Sequence, residues 1–132
     1  AVVTLAELLT HPEKGPDADW RPPADLTGTT VIAQPHCHQH AVIGYQADLA
    51  LLAAAGADVT TLAGCCGMAG NFGMEAGHYD VSVAVGETSL LPALRDAPGA
   101  VYLADGFSCR TQAEQLADRH GLHLAELLLG RR

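Results

Sequence analysis

Four cysteines carry most of the chemistry that this chain of 132 residues can be expected to do. Cys37 stands in the run His36-Cys37-His38-Gln39-His40, Cys65 and Cys66 are neighbours, and Cys109 follows Asp105 and Gly106. Cysteine is a common buried residue, so any one of the four needs no special role. Four of them accompanied by His36, His38, His40, Asn71 and Asp105 do not read as plain core packing. The adjacent pair is the most informative feature. Neighbouring side chains diverge, so closing both on one tetrahedral zinc is awkward, and zinc knuckles separate their ligands by about two to four residues. A multi-iron cluster presents several metal atoms, so adjacent thiolates can each take a different iron. Four thiolates are the ordinary complement of [4Fe–4S] and [2Fe–2S] centres.

The loop after the pair has glycine at every third position, Gly64, Gly67, Gly70 and Gly73. Glycine admits positive φ and close backbone approach, and successive N–H groups can then form a concave anion site. A thiolate-ligated cluster is such an anion, and hydrogen bonds to its sulfurs tune its potential. A phosphate loop fits less well, because no Gly-Lys-Ser/Thr and no G-x-G-x-x-G is present. The histidine run has three readings: metal ligation, activation of Cys37 as a nucleophile, or orientation of the cysteine and lining of a path to a redox partner. The third is preferred, since four thiolates are already available. Met68, Phe72 and Met74 are expected to shield the site from water.

Two other classes of function stay open on the residues alone. One is a zinc-stabilised interaction module using Cys37, one of the vicinal pair, Cys109 and a histidine. The other is a cysteine-dependent enzyme with Cys37 as nucleophile and His38 or His40 as base.

The elements must bring these residues together. Thr29–Gln34 is β-branched, short and stopped by Pro35, and reads as a buried strand. The spacing of Val42, Tyr45, Leu49 and Leu52 predicts a helix over His40–Ala55, with Gly56 at its C-terminal cap. Val59–Ala63 and Val101–Asp105 read as further strands, His78–Ala97 as two short helices, and Ser108–His120 and His123–Leu129 as closing helices. Strands alternating with helices predict an α/β fold, a small parallel sheet of about three to four strands flanked by helices. In such a sheet all strand carboxyl ends face one edge, where ligands bind. Topology alone then gathers the four thiols there.

Residues 1–28 are less regular: Leu5, Leu8 and Leu9 suit one face of a short helix, followed by scattered prolines. They are expected to be an N-terminal arm or the remnant of a linker, with the cysteine-rich domain over 29–132. The chain begins without Met, as expected of a piece of something longer. The 7 basic against 15 acidic residues leave a net charge of −8, which excludes a phosphate-backbone partner such as nucleic acid. Ala41 to Ala57 is interrupted by Tyr45, Gln46 and Asp48, so no transmembrane segment is expected. No signal peptide is legible, and four cysteines are too few for a disulfide scaffold, which points to the cytoplasm.

P-H-C-H-Q-H at 35–40, G-C-C-G-M-A-G-N-F-G-M-E at 64–75 and A-D-G-F-S-C-R at 104–110 resemble the cysteine-rich CCG domain. That domain occurs in the iron–sulfur subunit of glycolate oxidase, in the B subunit of heterodisulfide reductase, and at the C-terminus of fused FAD-linked dehydrogenases. The last segment, with H-Y-D-V-S and L-L-P-A-L-R, is most similar to the fused FAD and iron–sulfur dehydrogenases of D-2-hydroxy acids. The resemblance implies Cys37, Cys65, Cys66 and Cys109 as ligands of an iron–sulfur cluster, most naturally [4Fe–4S]. His36, His38, His40, Gly64, Gly67, Asn71 and Gly106 would surround it. It further implies FAD on an upstream domain, fused or separate, a downstream electron acceptor, and at most a peripheral place at a membrane through partners. No flavin-binding segment is legible in the chain, so the domain would not oxidise a hydroxy acid by itself. Glycine stands at 106, where the usual pattern has the first cysteine of a Cys-x-x-Cys, so the five-thiol set of the non-cubane clusters is absent.

Overall fold

A computed structural model describes residues 2–131. Four strands, β1 (Thr30–Ala33), β2 (Asp58–Thr61), β3 (Val101–Leu103) and β4 (Gly121–Leu122), form one sheet in the order β2-β1-β3-β4. Every pairing is parallel, with Val31 opposite both Val59 and Val101, and Tyr102 opposite Gly121. The helices are α1 (Leu5–Thr10), α2 (Gln46–Ala54), α3 (Tyr79–Gly86), α4 (Leu90–Asp96), α5 (Phe107–Ala117) and α6 (Leu124–Leu128).

Alternation along the central strands divides the core in two. Val31, Ala33 and Leu103 face a layer made by Ala6, Leu51, Leu52, Leu124, Leu127 and Leu128 from α1, α2 and α6. Ile32 and Tyr102 face the other way, onto Leu90, Leu91, Leu94 and Ala113 from α4 and α5. Burying each of these leucines is worth about 1.5–3 kcal/mol. β1 is thus covered on both faces, while β2 is a largely exposed edge. Residues 1–28 contribute Ala6 and Leu26 to the first layer, with Leu9, Trp20 and Ala24 packed against it.

Element ends follow local chemistry. Thr4 and Glu7 form a reciprocal capping box that opens α1, and His123 with Glu126 does the same for α6. Pro92 lies in the first turn of α4, where its missing N–H costs nothing. α5 stops at Ala117, short of the expected His120, because Asp118 turns left-handed at φ 49°.

Two expectations are corrected. The single helix over His40–Ala55 is split: Gln39–Ile43 is a π-type turn, Gly44 takes φ 89°, and α2 starts at Gln46. Val42 consequently lies 70% exposed instead of on the buried face. In α1 it is Ala6 and Leu9 that pack inward, and Leu5 and Leu8 remain exposed. Gly121–Leu122, between the two expected closing helices, forms β4, a strand too short to carry any periodicity.

The chain leaves β1 toward β2 through α2, and β3 toward β4 through α5. Connections diverge between β1 and β3, which opens a crevice at their carboxyl ends.

Candidate metal centre

A concavity of about 500 Å³ occupies that crevice. Its lining includes all four cysteines together with His36, His38, Asp105, Gly106, Phe107 and Ser108. Cys37 comes from the turn after β1, Cys65 and Cys66 from the loop after β2, and Cys109 from the first turn of α5. Pro35 ends the β1 ladder because it has no N–H to donate. The chain then folds back, with the His40 N–H donating to the His36 carbonyl.

All four cysteines are free thiols, and they divide by depth. The outer pair is Cys37, exposed, and Cys65, half-buried, with Sγ atoms 3.7 Å apart. The inner pair is Cys66 and Cys109, 2% and 4% exposed, joined by a thiol hydrogen bond and counted among the α4/α5 core. Three consecutive amides turn onto the vicinal sulfurs. Gly67 N–H donates to Cys65 Sγ at 3.3 Å, and the N–H groups of Met68 and Ala69 donate to Cys66. That arrangement needs left-handed backbone at Gly67, φ 99°, and at Ala69, φ 47°. At Gly67 a Cβ would also collide with the Ser82 carbonyl oxygen.

The electrostatics follow from these contacts. The Cys109 S–H and the two amides hold the Cys66 thiol down, to about 6, against the effect of burial. Cys109 keeps the shared proton, and this with burial pushes it well up. Burial also raises Cys65, opposed by the Gly67 amide. The N-terminus of α5 opens at Gly106 with no side-chain cap, so its positive end faces the same space. The three amides and the helix N-terminus favour negative charge in this space, including charge on the Cys66 sulfur.

Of the residues expected around the thiols, His36 and His38 line the concavity with near-parallel rings, centroids 6.4 Å apart. Gly106 lines it as well, and a Cβ there would stand 3.2 Å from Cys109 Sγ and 3.0 Å from the His36 Cβ. Gly64 presents its carbonyl to the Gln34 side chain. His40 and Asn71 do not line the concavity: His40 is exposed, and Asn71 Nδ2 bonds to Glu75. Met68 is buried beneath the site, Phe72 stacks on His78 at 4.1 Å, and Met74 is 54% exposed and shields nothing.

Three buried polar residues behind the site were missed. Gln34 donates to the carbonyls of Pro35 and Gly64. Gln39 Nε2 donates to Asp48 Oδ2 at 3.2 Å, tying the Cys37 turn to α2. Burial, then the charge of Asp105, pushes the Asp48 carboxyl up to about 6. A polar residue closing an apolar strand, as Gln34 does, was the available signal for the first.

Among the described residues no three His, Cys, Asp or Glu side chains converge where one metal ion would sit. Cys37 meets Cys65, and Cys66 meets both Cys65 and Cys109, around an open space. Four thiols with amides on two of their sulfurs are a donor set that fits a polynuclear iron–sulfur group, although His36, His38 and Asp105 line the same space.

No protein-family model matches the chain. It is 33% identical over 112 residues to D-2-hydroxyglutarate dehydrogenase of Escherichia coli (strain K12), which covers 83% of this chain and 11% of that protein. It is 39% identical over 71 residues to the protein of that name from Pseudomonas putida, covering 54% of this chain and 7% of the relative. With the Pantoea ananatis protein of the same name the identity is 38% over 66 residues, 50% of this chain and 6% of the relative. The chain therefore spans about a tenth or less of the curated relatives it matches, and is similar to one portion of proteins named as dehydrogenases. No helix among the described residues is long and apolar enough to cross a membrane.

Proposed function

We propose that this chain is the electron-transfer domain of a larger FAD-linked oxidoreductase of the D-2-hydroxy-acid dehydrogenase type. Cys37, Cys65, Cys66 and Cys109 would hold an iron–sulfur cluster, [4Fe–4S] by ligand count. The observation that carries this reading is one concavity lined by thiols from three separate stretches of chain, with successive amides directed at two of the sulfurs. When bound, such a cluster supplies one-electron redox chemistry.

The chain's own residues supply the binding and the tuning. The Cys66 thiol is held below its ordinary range by the Cys109 S–H and the Met68 and Ala69 amides, which eases the deprotonation that ligation requires. The amides of Gly67, Met68 and Ala69 hold negative charge on the sulfurs, which favours the more reduced, more negative state. Met68, Cys66 and Cys109 keep water from the inner side. Exposed Cys37 and His38 leave the outer side open to redox partners. Oxidation of the hydroxy acid belongs to an upstream flavin domain, and the electrons pass on to an acceptor.

Anaerobic reconstitution with iron and sulfide tests the reading. About four irons and four sulfides per chain are expected, with a broad visible band that dithionite bleaches and a paramagnetic resonance signal in the reduced protein. Cys65→Ser and Cys66→Ser should each damage the centre. Stoichiometric zinc without sulfide, lost on replacing only one of the two, would point instead to a zinc-stabilised interaction module.

A further inference from the structure

Gln34 is the residue at which the three thiol-bearing stretches meet. Its backbone N–H donates to the Leu103 carbonyl at the end of β3, at 2.8 Å. Its side-chain Nε2 donates to Pro35 at 3.1 Å, just ahead of the Cys37 turn, and to Gly64 at 3.0 Å, immediately before Cys65. The residue is 2% exposed.

Two carbonyls can be served only by an NH₂ group, so the orientation of the amide is set by the turns it joins. The consequence is that Oε1 is directed away from both, buried and without a hydrogen-bond partner among the described residues. An unpaired buried acceptor is costly, and a leucine of similar size would avoid that cost. What the amide does provide is a fixed distance between the turn after β1 and the loop after β2, whose sulfurs lie 3.7 Å apart. The inner pair has separate supports: Tyr102 donates to the Cys109 carbonyl, and Gln112 bonds to Ser82 beside Gly67.

We propose that Gln34 is a positioning residue that sets the spacing of Cys37 and Cys65, and with it the outer half of the thiol site. The proposal rests on the cluster reading for its biological meaning. The geometry that it predicts is testable without a cluster.

The test uses metal-free protein in glutathione buffers. Each dithiol gives up two electrons and two protons to oxidised glutathione, forming a disulfide and two reduced glutathione molecules. A Cys66→Ser, Cys109→Ser background isolates the outer pair, and a Cys37→Ser, Cys65→Ser background isolates the inner pair. Gln34→Leu should lower the disulfide equilibrium constant of the outer pair about tenfold and leave the inner pair within about twofold. Gln34→Met, unbranched and equally unable to donate, should do the same. In chains that carry all four cysteines, cluster loss to an iron chelator should be about tenfold faster in both variants. An unchanged outer pair, or equal falls in both pairs, overturns the assignment. If the protein with Gln34 takes up no iron and sulfide while the outer pair alone responds to Gln34→Leu, the cluster reading fails and the positioning role stands.

Discussion

The two halves of the thiol site are built on different principles. Cys66 and Cys109 belong to the hydrophobic core between α4 and α5, and their positions follow from its packing. Cys37 is exposed and Cys65 half-buried, and neither belongs to a core cluster; side-chain amides from Gln34 and Gln39 hold their turns instead. Packing fixes a buried group through many small contacts at once. A surface turn without those contacts depends on a few directional bonds. The inner half is therefore expected to tolerate loss of any one polar contact, and the outer half to depend on each.

The widest separation should appear in thiol reactivity. In metal-free protein Cys37 should be alkylated by a bulky maleimide at least about 100-fold faster than Cys66 or Cys109, because reagent reaches the inner pair only through local opening. Mass mapping of labelled peptides checks this. Early labelling of Cys66 would mean that its ionised thiol outweighs its burial. Next in size is backbone strain. Gly67→Ala meets both a left-handed φ and the Ser82 carbonyl, and should cost about 3 kcal/mol or more in urea unfolding. Gly70→Ala, with a positive φ but open space, should cost about 1–2 kcal/mol. Equal costs would erase the distinction between packed and open parts of the loop.

A smaller effect tests the support of the outer half. Asp48 has its carboxyl raised to about 6, so the folded state holds that proton more tightly than the unfolded chain. The stability this gives is complete at acid pH, below the ordinary carboxylate range, and is lost as pH rises through about 6. The amide that Asp48→Asn introduces stays neutral at every pH, and its oxygen can still accept from Gln39. The variant should therefore be about 1–2 kcal/mol more stable than the parent at pH 7.5, after allowance for solvent screening, with the difference fading toward pH 4. A gain that persists unchanged at pH 4 would rule out the ionised carboxylate as its source. Smallest of all, Met74→Ala should stay within about 0.5 kcal/mol, since the side chain lies in solvent.

How much of the site could be read in advance depended on what kind of contact defines each residue. The thiols were legible because strand ends in a parallel sheet converge whatever the loops do. The amides on the sulfurs were legible in kind from the glycine spacing, and Gly64, Gly67 and Gly70 do take positive φ, as does the unforeseen Ala69. His40 and Asn71 were expected beside the thiols because they are near them in sequence, yet the π-type turn directs one to solvent and Glu75 draws the other away. Gln34, Gln39 and Asp48 were missed because a buried polar side chain shows no periodicity, and its partners lie up to thirty positions away.

From the order of residues alone came the alternation of strand and helix, the parallel sheet and the edge to which the cysteines had to come. These rest on local patterning, which short stretches of chain satisfy on their own. Which sulfurs pair, which are buried, where the helix after Cys37 breaks and which amides bridge the turns were decided only by the folded chain. Each depends on distances between segments far apart in sequence, and those distances exist only once the two core layers have closed on the sheet.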